Sequence, residues 1–331
     1  MDYLTIIGID VSKLTLDLHV LPHHLDFQTE NDVKGFKKIF KWLEKECGVC
    51  VSKSLFAFEC TGHYSFRLAL WMQKNEYNFV MLPGLEIKRS QGITRGKSDP
   101  ADARVIAEYT YLRRDKIALT QLPEKDIIRM NLLLSLRAKF VRQRAGYKAT
   151  IKEVKRAFSR KQEPLYFKTQ ENLVKNLDTQ IKSLETELQK IVAQNPKLQE
   201  QYDLIVSIKG VGPLSAQTII AVTHAFQKFP TWRKFACYCG TAPFPYQSGT
   251  SIHGRTKVSH LANKRMKSLL TNMASSAIQH NPEMKLYFQK RVENGANKMS
   301  TLNIIRNKLI SRIFAVVDRG TPYVEIMKYA A

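Results

Sequence analysis

Four carboxylates, Asp10, Glu59, Asp99 and Asp102, stand in local settings that suit them to hold a divalent cation. Asp10 ends the apolar run Ile6-Ile7-Gly8-Ile9, which reads as a buried strand delivering one carboxylate to the mouth of a sheet. Glu59 repeats that design after Leu55-Phe56-Ala57-Phe58. Asp99 and Asp102 open a helical pattern, Ser98-Asp99-Pro100-Ala101-Asp102-Ala103, whose spacing lets both share one helical face. Hard oxygen ligands of this kind favour Mg2+ or Mn2+ over zinc. The chemistry they would support is metal-assisted cleavage of a phosphodiester.

A second centre is the stretch from Tyr238 to Thr250, which holds two prolines, two glycines and several hydroxyls and reads as a loop. Within it Ser248 beside Gly249 has the makings of a nucleophile toward phosphorus, its alkoxide helped by the nearby cations Arg255, Lys257, Lys264, Arg265 and Lys267. A Ser-Gly pair is usually a plain turn, and composition alone favours that reading.

The elements that must position these groups are legible from periodicity. Leu14, Leu16, Leu18 and Val20 alternate with polar residues, the period of a half-buried strand pairing back on the first. A third strand near Phe27 to Glu30 leads into a helix from about Asn31 with Val33, Phe36, Phe40 and Leu43 on its apolar face. The Glu59 strand, a helix through Tyr64 to Gln73, a strand at Tyr77 to Leu82 and the Asp99 helix follow. Three strands, helix, strand, helix, strand, helix is the order of a ribonuclease H-like layer.

From about Pro123 the pattern is helical for nearly eighty residues, broken near Gln162-Glu163-Pro164. The first of the two long helices is basic, with Arg137, Lys139, Arg142, Arg144, Lys148, Lys152, Lys155, Arg156 and Arg160 against Glu153 alone; too few acids for a salt-bridged face point to phosphate contact. The second carries Val174, Leu177, Ile181, Leu184, Leu188 and Ile191 in alternating steps of three and four, a coiled-coil seam open to an antiparallel hairpin within the chain or to a contact between subunits. Ile208-Lys209-Gly210-Val211-Gly212-Pro213 then reads as a helix-hairpin-helix, whose glycine turn and following helix start can hold a phosphate with Lys209 nearby. A helix is expected from about Ala262.

Charge supports that reading. Of the formal net +23, residues 1–120 carry 17 Lys/Arg against 15 Asp/Glu and the remainder 35 against 14, so the surplus belongs to the second part. Between Leu204 and Pro282 nine basic residues meet no acid, a field that favours a polyanion. No run approaches the ~18 apolar residues of a membrane span, the amino terminus lacks a signal-peptide pattern, and a cytoplasmic protein is expected. Five cysteines, with Cys47 and Cys50 in CxxC and Cys237 and Cys239 in CxC spacing, read as ordinary thiols rather than a disulfide framework or zinc site.

Taken together these residues resemble the transposases of the insertion-sequence 110 family, the DEDD-type recombinases, over nearly the whole chain. The resemblance is carried by Gly8-Ile9-Asp10-Val11-Ser12-Lys13, Glu59-Cys60-Thr61-Gly62-His63-Tyr64 and Gly96-Lys97-Ser98-Asp99-Pro100-Ala101-Asp102-Ala103, then by Ile208-Lys209-Gly210-Val211-Gly212 and Gly240-Thr241-Ala242-Pro243 through Gln247-Ser248-Gly249, all in order. It implies an α/β RuvC-like domain of the ribonuclease H fold over residues 1–118, in which Asp10, Glu59, Asp99 and Asp102 ligate Mg2+ or Mn2+. A basic helical, coiled-coil segment would span 119–200, and a mostly helical C-terminal domain with the helix-hairpin-helix and serine loop 201–331. It implies that Ser248 attacks the scissile phosphate and holds DNA as a phosphoserine, that a structured bridge RNA pairs with donor and target DNA, and that the enzyme works as a homo-oligomer, dimer to tetramer. Arg142, Lys148, Lys152, Lys155, Lys209, Gly210, Gly212, Arg255, Lys257, Lys264 and Arg265 are the expected nucleic-acid contacts. One departure concerns the run after the serine: relatives commonly show Ser-Lys-Arg-Gly-Asp, whereas this chain reads Val258-Ser259-His260-Leu261-Ala262-Asn263-Lys264-Arg265 without the acid.

Two other readings stand beside the recombinase. A structure-selective nuclease would use the tetrad to activate water, with Ser248 shaping a loop. A noncatalytic nucleic-acid binder would carry the four acids as structure, and like charges clustered without a cation would then destabilise the fold.

Overall fold

A computed structural model describes residues 3–90, 99–249 and 252–325, and of Asp99, Pro100, Ser248 and Ile252 the backbone alone. The chain divides into two compact units, Met1–Leu122 and Pro123–Ala331.

The first unit is built on a mixed five-stranded sheet. Strands β1 (Thr5–Val11), β2 (Thr15–Leu21) and β3 (Leu25–Glu30) form an antiparallel meander. Strands β4 (Ser54–Glu59) and β5 (Phe79–Leu82) add to its other side in parallel, giving the order β3-β2-β1-β4-β5. Parallel neighbours need crossovers, supplied here by α1 (Val33–Lys45) and α2 (His63–Lys74). Helix α1 starts where Asp32 accepts from the Gly35 amide at 2.8 Å. It buries Phe36, Ile39, Phe40 and Leu43, while Val33, expected on that face, lies out in solvent. These residues pack with Ile7, Ile9, Leu16, Leu18, Phe56, Phe58 and Leu68 into one core, each large side chain contributing about 1.5–3 kcal/mol.

The opposite face carries a second core of Ile6, Leu55, Ala57, Val80, Leu82, Ile106 and Ala107. It is closed by α3 (Gly84–Ser90), a short helix the sequence reading does not include, and by α4 (Asp99–Arg113). Strand β2 is therefore not half-buried as its alternation suggests: α4 covers the polar side too, leaving Asp17 3% and His19 0% exposed.

The second unit is helical apart from one ribbon. Helices α5 (Lys125–Val154) and α6 (Pro164–Gln194) form an antiparallel hairpin within the chain, as the ion pairs Arg137 to Glu185 at 2.6 Å and Arg144 to Asp178 at 2.5 Å show by running in opposite sequence directions. Their ends, through Ile127, Met130, Leu134, Leu188 and Ile191, enter one core with α7 (Pro196–Val206), α8 (Pro213–Thr223) and α9 (Trp232–Cys239). After α9 comes a two-stranded antiparallel ribbon of β6 (Pro243–Ser248) and β7 (Ile252–Val258). Helices α10 (Lys264–His280), α11 (Pro282–Glu293) and α12 (Lys298–Arg319) complete the unit. Among the described residues no helix is long and apolar enough to cross a membrane.

Candidate functional site

In the first unit, Asp10 and Glu59 are brought side by side by the sheet itself. Strands β1 and β4 run parallel with Gly8 opposite Ala57 and Ile9 opposite Phe58, so the next step in register sets Asp10 beside Glu59 at the strand ends. Neighbouring strands lie about 4.8 Å apart. Side-chain alternation puts both carboxylates on the face of Gly8 and Ala57, the one that α4 covers. Both are half-buried.

Two glycines make that arrangement sterically allowed. A Cβ on Gly8 would lie 2.3 Å from the Ala103 carbonyl oxygen and 2.5 Å from the Ala107 nitrogen, so α4 rests its backbone on β1 two residues from Asp10. A Cβ on Gly84, at the start of α3, would lie 1.9 Å from Oε1 of Glu59, so the missing side chain is the space this carboxylate occupies. The sequence signal for Gly84 was a Pro-Gly pair after a strand, which announces a turn and says nothing of Glu59.

Asp99 and Asp102 both fall in the first turn of α4. Asp102 is half-buried, whereas the Asp99 side chain and the Gly96-Lys97-Ser98 part of the motif lie outside the described residues. Among the described residues no three His, Cys, Asp or Glu side chains come close enough together to hold a metal ion. The fit to a hard cation therefore rests on donor chemistry, carboxylate oxygens at adjacent strand ends, and on the cradle that Gly84 leaves around Glu59.

Sequence reasoning also missed the polar neighbours of Asp10. Asp17 is its cross-strand partner, with Oδ1 accepting from Gln28 Nε2 at 2.7 Å and Oδ2 buried without a hydrogen bond among the described residues. His19 Nδ1 meets Asp26 Oδ1 at 2.5 Å, and Arg104 of α4 reaches the other oxygen of Asp26 at 3.4 Å, tying the helix to β2 and β3.

In the second unit the serine stretch is not a loop. Ser248 ends β6 opposite Ile252, and Pro243 and Pro245 are tolerated because a two-stranded ribbon consists of edges, where a missing N–H leaves no ladder bond unmade. Thr250 lies outside the described residues. The ribbon's base is clamped to α12: Asn303 and Asn307 both donate to the Thr241 carbonyl at 2.9 Å, and the Thr241 hydroxyl donates to Asn307 Oδ1 at 3.0 Å. On the return side Asn263 caps α10 by accepting from the Met266 amide at 3.0 Å and donates to the Tyr238 hydroxyl at 2.7 Å. These asparagines, one helical turn apart on α12, give no distinct pattern in a helix half of whose residues are polar.

The expected nucleic-acid contacts divide into three groups. Arg142, Lys148, Lys152 and Lys155 are exposed with no ion pair among the described residues. Three other cations of this helix are paired, because α6 supplies acids that the α5 sequence lacks: Arg137 with Glu185, Arg144 with Asp178, and Arg129 with Glu187. Arg255 and Lys257 project from β7 and Lys264 opens α10, all exposed. The remaining four have structural roles. Arg265 donates to the Leu134 carbonyl at 2.7 Å, its pKa lowered by burial and by the neighbouring Arg137 and Arg142. Lys209 pairs with Glu325 at 2.7 Å. Gly210 has φ +99 and faces Ala277 of α10 so closely that a Cβ would lie 2.6 Å from that residue's own, which explains the glycine by packing. Gly212 stands at the N-cap of α8.

Comparison with known proteins agrees with the motif order. The family description "Transposase IS116/IS110/IS902 family" matches residues 202–289, and the DEDD transposase domain of the IS110 family matches residues 7–157. The "Pilin gene-inverting protein" of Moraxella lacunata, and that of Moraxella bovis, are each 26% identical over 335 residues, covering 96% of this chain and 97% of the relative. The protein of insertion element IS110 from Streptomyces coelicolor is 27% identical over 158 residues, 47% of this chain and 39% of its own. With the two family profiles matching residues 7–157 and 202–289 and relatives matched nearly end to end, the chain carries the transposase domains of the IS110/IS116/IS902 family, a family of enzymes that cleave and rejoin DNA.

Proposed function

We propose that this transposase is a site-specific recombinase that uses a ribonuclease H-type, RuvC-like first unit and a serine-bearing second unit to cleave and rejoin DNA. The observation that carries the first half is the pairing of Asp10 with Glu59 at adjacent parallel strand ends, on the face that α4, with Asp99 and Asp102 in its first turn, closes. Asp10, Glu59, Asp99 and Asp102 would hold Mg2+ or Mn2+, and the bound ion would supply Lewis-acid polarisation of a phosphate oxygen. Gly84 leaves the space that the Glu59 carboxylate occupies, and the Arg104–Asp26–His19 contacts hold α4 on the sheet.

Ser248, at the tip of the clamped ribbon, is the nucleophile of this reading: its Oγ forms the new bond to phosphorus, the deoxyribose oxygen leaves, and the reverse attack by another strand end restores the serine. An energy-conserving exchange of this kind suits relatives named for inverting a gene, an outcome in which every cut must be rejoined. The surplus charge of the second unit supports a large polyanionic partner set, donor and target DNA with a structured bridge RNA, served by a dimer or tetramer. Residues 1–118, 119–200 and 201–331 are the functional segments of this proposal.

The test of the metal half is cleavage by Asp10→Asn and Glu59→Gln proteins in Mg2+ or Mn2+. Both are expected to lose strand cleavage, by 1000-fold in order of magnitude, and to bind DNA nearly as tightly as wild type. DNA affinity falling in step with cleavage would remove these carboxylates from the chemistry.

A further inference from the structure

The ribbon carries more than its serine. Tyr246 and Phe244 on β6 are 67% and 47% exposed, unusual for large rings on an ordered strand, and both line a surface hollow of about 650 Å³ together with Arg255 and Lys257 of β7. Tyr246 is nevertheless held in place. Its cross-strand partner is Gly254, where a Cβ would lie 2.8 Å from Cδ1 of the ring, so the ring lies across bare backbone. Between Phe244 and Tyr246 the register slips, with two residues of β7 opposite Pro245 alone, and Arg255 falls in that irregular segment.

We propose that this hollow binds an unpaired nucleotide of single-stranded DNA, its base stacked on Tyr246 with Phe244 alongside and its phosphates paired with Arg255 and Lys257. Rings with a free face, interleaved with cations and with no acid anywhere from Leu204 to Pro282, make the combination that grips single strands whatever their sequence. A duplex offers the cations its phosphates but keeps its base faces stacked, so the rings select unpaired substrate. DNA rather than RNA is the occupant because the hollow lies on the strand that ends in Ser248, the residue placed at the DNA break; in that respect the proposal rests on the reading above. An unpaired nucleotide beside the cut would let a released strand end be kept and handed over without rotating free.

The test titrates full-length protein into single-stranded oligodeoxynucleotides containing one 2-aminopurine. Binding is expected to quench the fluorophore. Tyr246→Ala should lose the quenching and about tenfold in affinity, the equivalent of one stacked base, with the salt dependence unchanged. Tyr246→Trp should keep both. Gly254→Ala should behave like Tyr246→Ala, because the added methyl displaces the ring, while the Arg255→Ala, Lys257→Ala pair should flatten the salt dependence and keep the quenching. Tyr246 is mostly solvent-exposed, and equal melting temperatures would exclude misfolding. Tyr246→Ala binding and quenching as wild type does would overturn the proposal, as would equal reliance on Tyr246 for a fully paired duplex or tighter Tyr246-dependent binding of the matching oligoribonucleotide. Tyr246-dependent quenching in a protein that forms no covalent DNA adduct would leave the stacking site standing and remove the serine nucleophile.

Discussion

Glu59 can act only if its carboxylate stays where Gly84 allows it to be. The atom that a Cβ at position 84 would meet is the far end of a flexible side chain, so the fold can yield while the carboxylate moves. Gly84→Ala is therefore expected to melt within a few degrees of wild type and to lose about 100-fold in metal-dependent cleavage, the cost of a displacement near 1 Å at a reacting centre. Thermal unfolding by circular dichroism and a cleavage time course measure the two effects. Full activity in this variant would show that Glu59 need not occupy that space. Arg265 illustrates the opposite situation at this scale: a cation that looks free in sequence spends its guanidinium on the Leu134 carbonyl, so Arg265→Ala should weaken the fold before it weakens DNA affinity.

At the scale of elements, α4 and the ribbon place the two candidate centres, and each was legible to a different degree. The strand carrying Asp10 and the helix starting at Asp99 could be read because apolar runs and a Ser-Asp-Pro helix start are local signals. The burial of Asp17 and His19 could not, since it comes from α4 folding back across β2 from far along the chain. For the same reason the α5 cations looked unpaired: Glu185 and Asp178, which answer Arg137 and Arg144, belong to the next helix. Prolines at 243 and 245 hid the ribbon, because their ordinary meaning is loop and an edge strand is the exception. The seating of α4 is directly testable at Gly8, where an added Cβ meets backbone that cannot step aside. Gly8→Ala should cost about 1–3 kcal/mol in urea unfolding and lower cleavage with it. Unchanged stability would mean that α4 does not rest on β1 there.

At the scale of the whole molecule, charge divides labour: a nearly neutral first part carries the carboxylates, and a second part with most of the positive surplus carries the serine. Arg142, Lys148, Lys152 and Lys155 are exposed cations of the long hairpin with no ion pair among the described residues, and they are the ones proposed to contact phosphate. Replacing all four by Gln should reduce the slope of log affinity against log salt by about three to four, measured by anisotropy with labelled DNA; an unchanged slope would place the nucleic acid elsewhere. The account as a whole turns on whether the ribbon serine becomes bonded to DNA. Purified protein with Mg2+, its element-derived RNA and end-labelled target DNA, denatured and resolved beside Ser248→Ala, answers this in one gel. The expected result is label retained on the wild-type protein and absent from the variant. Free cleaved DNA with no retained label, identical in the two proteins, would contradict the serine mechanism and leave a nuclease that activates water.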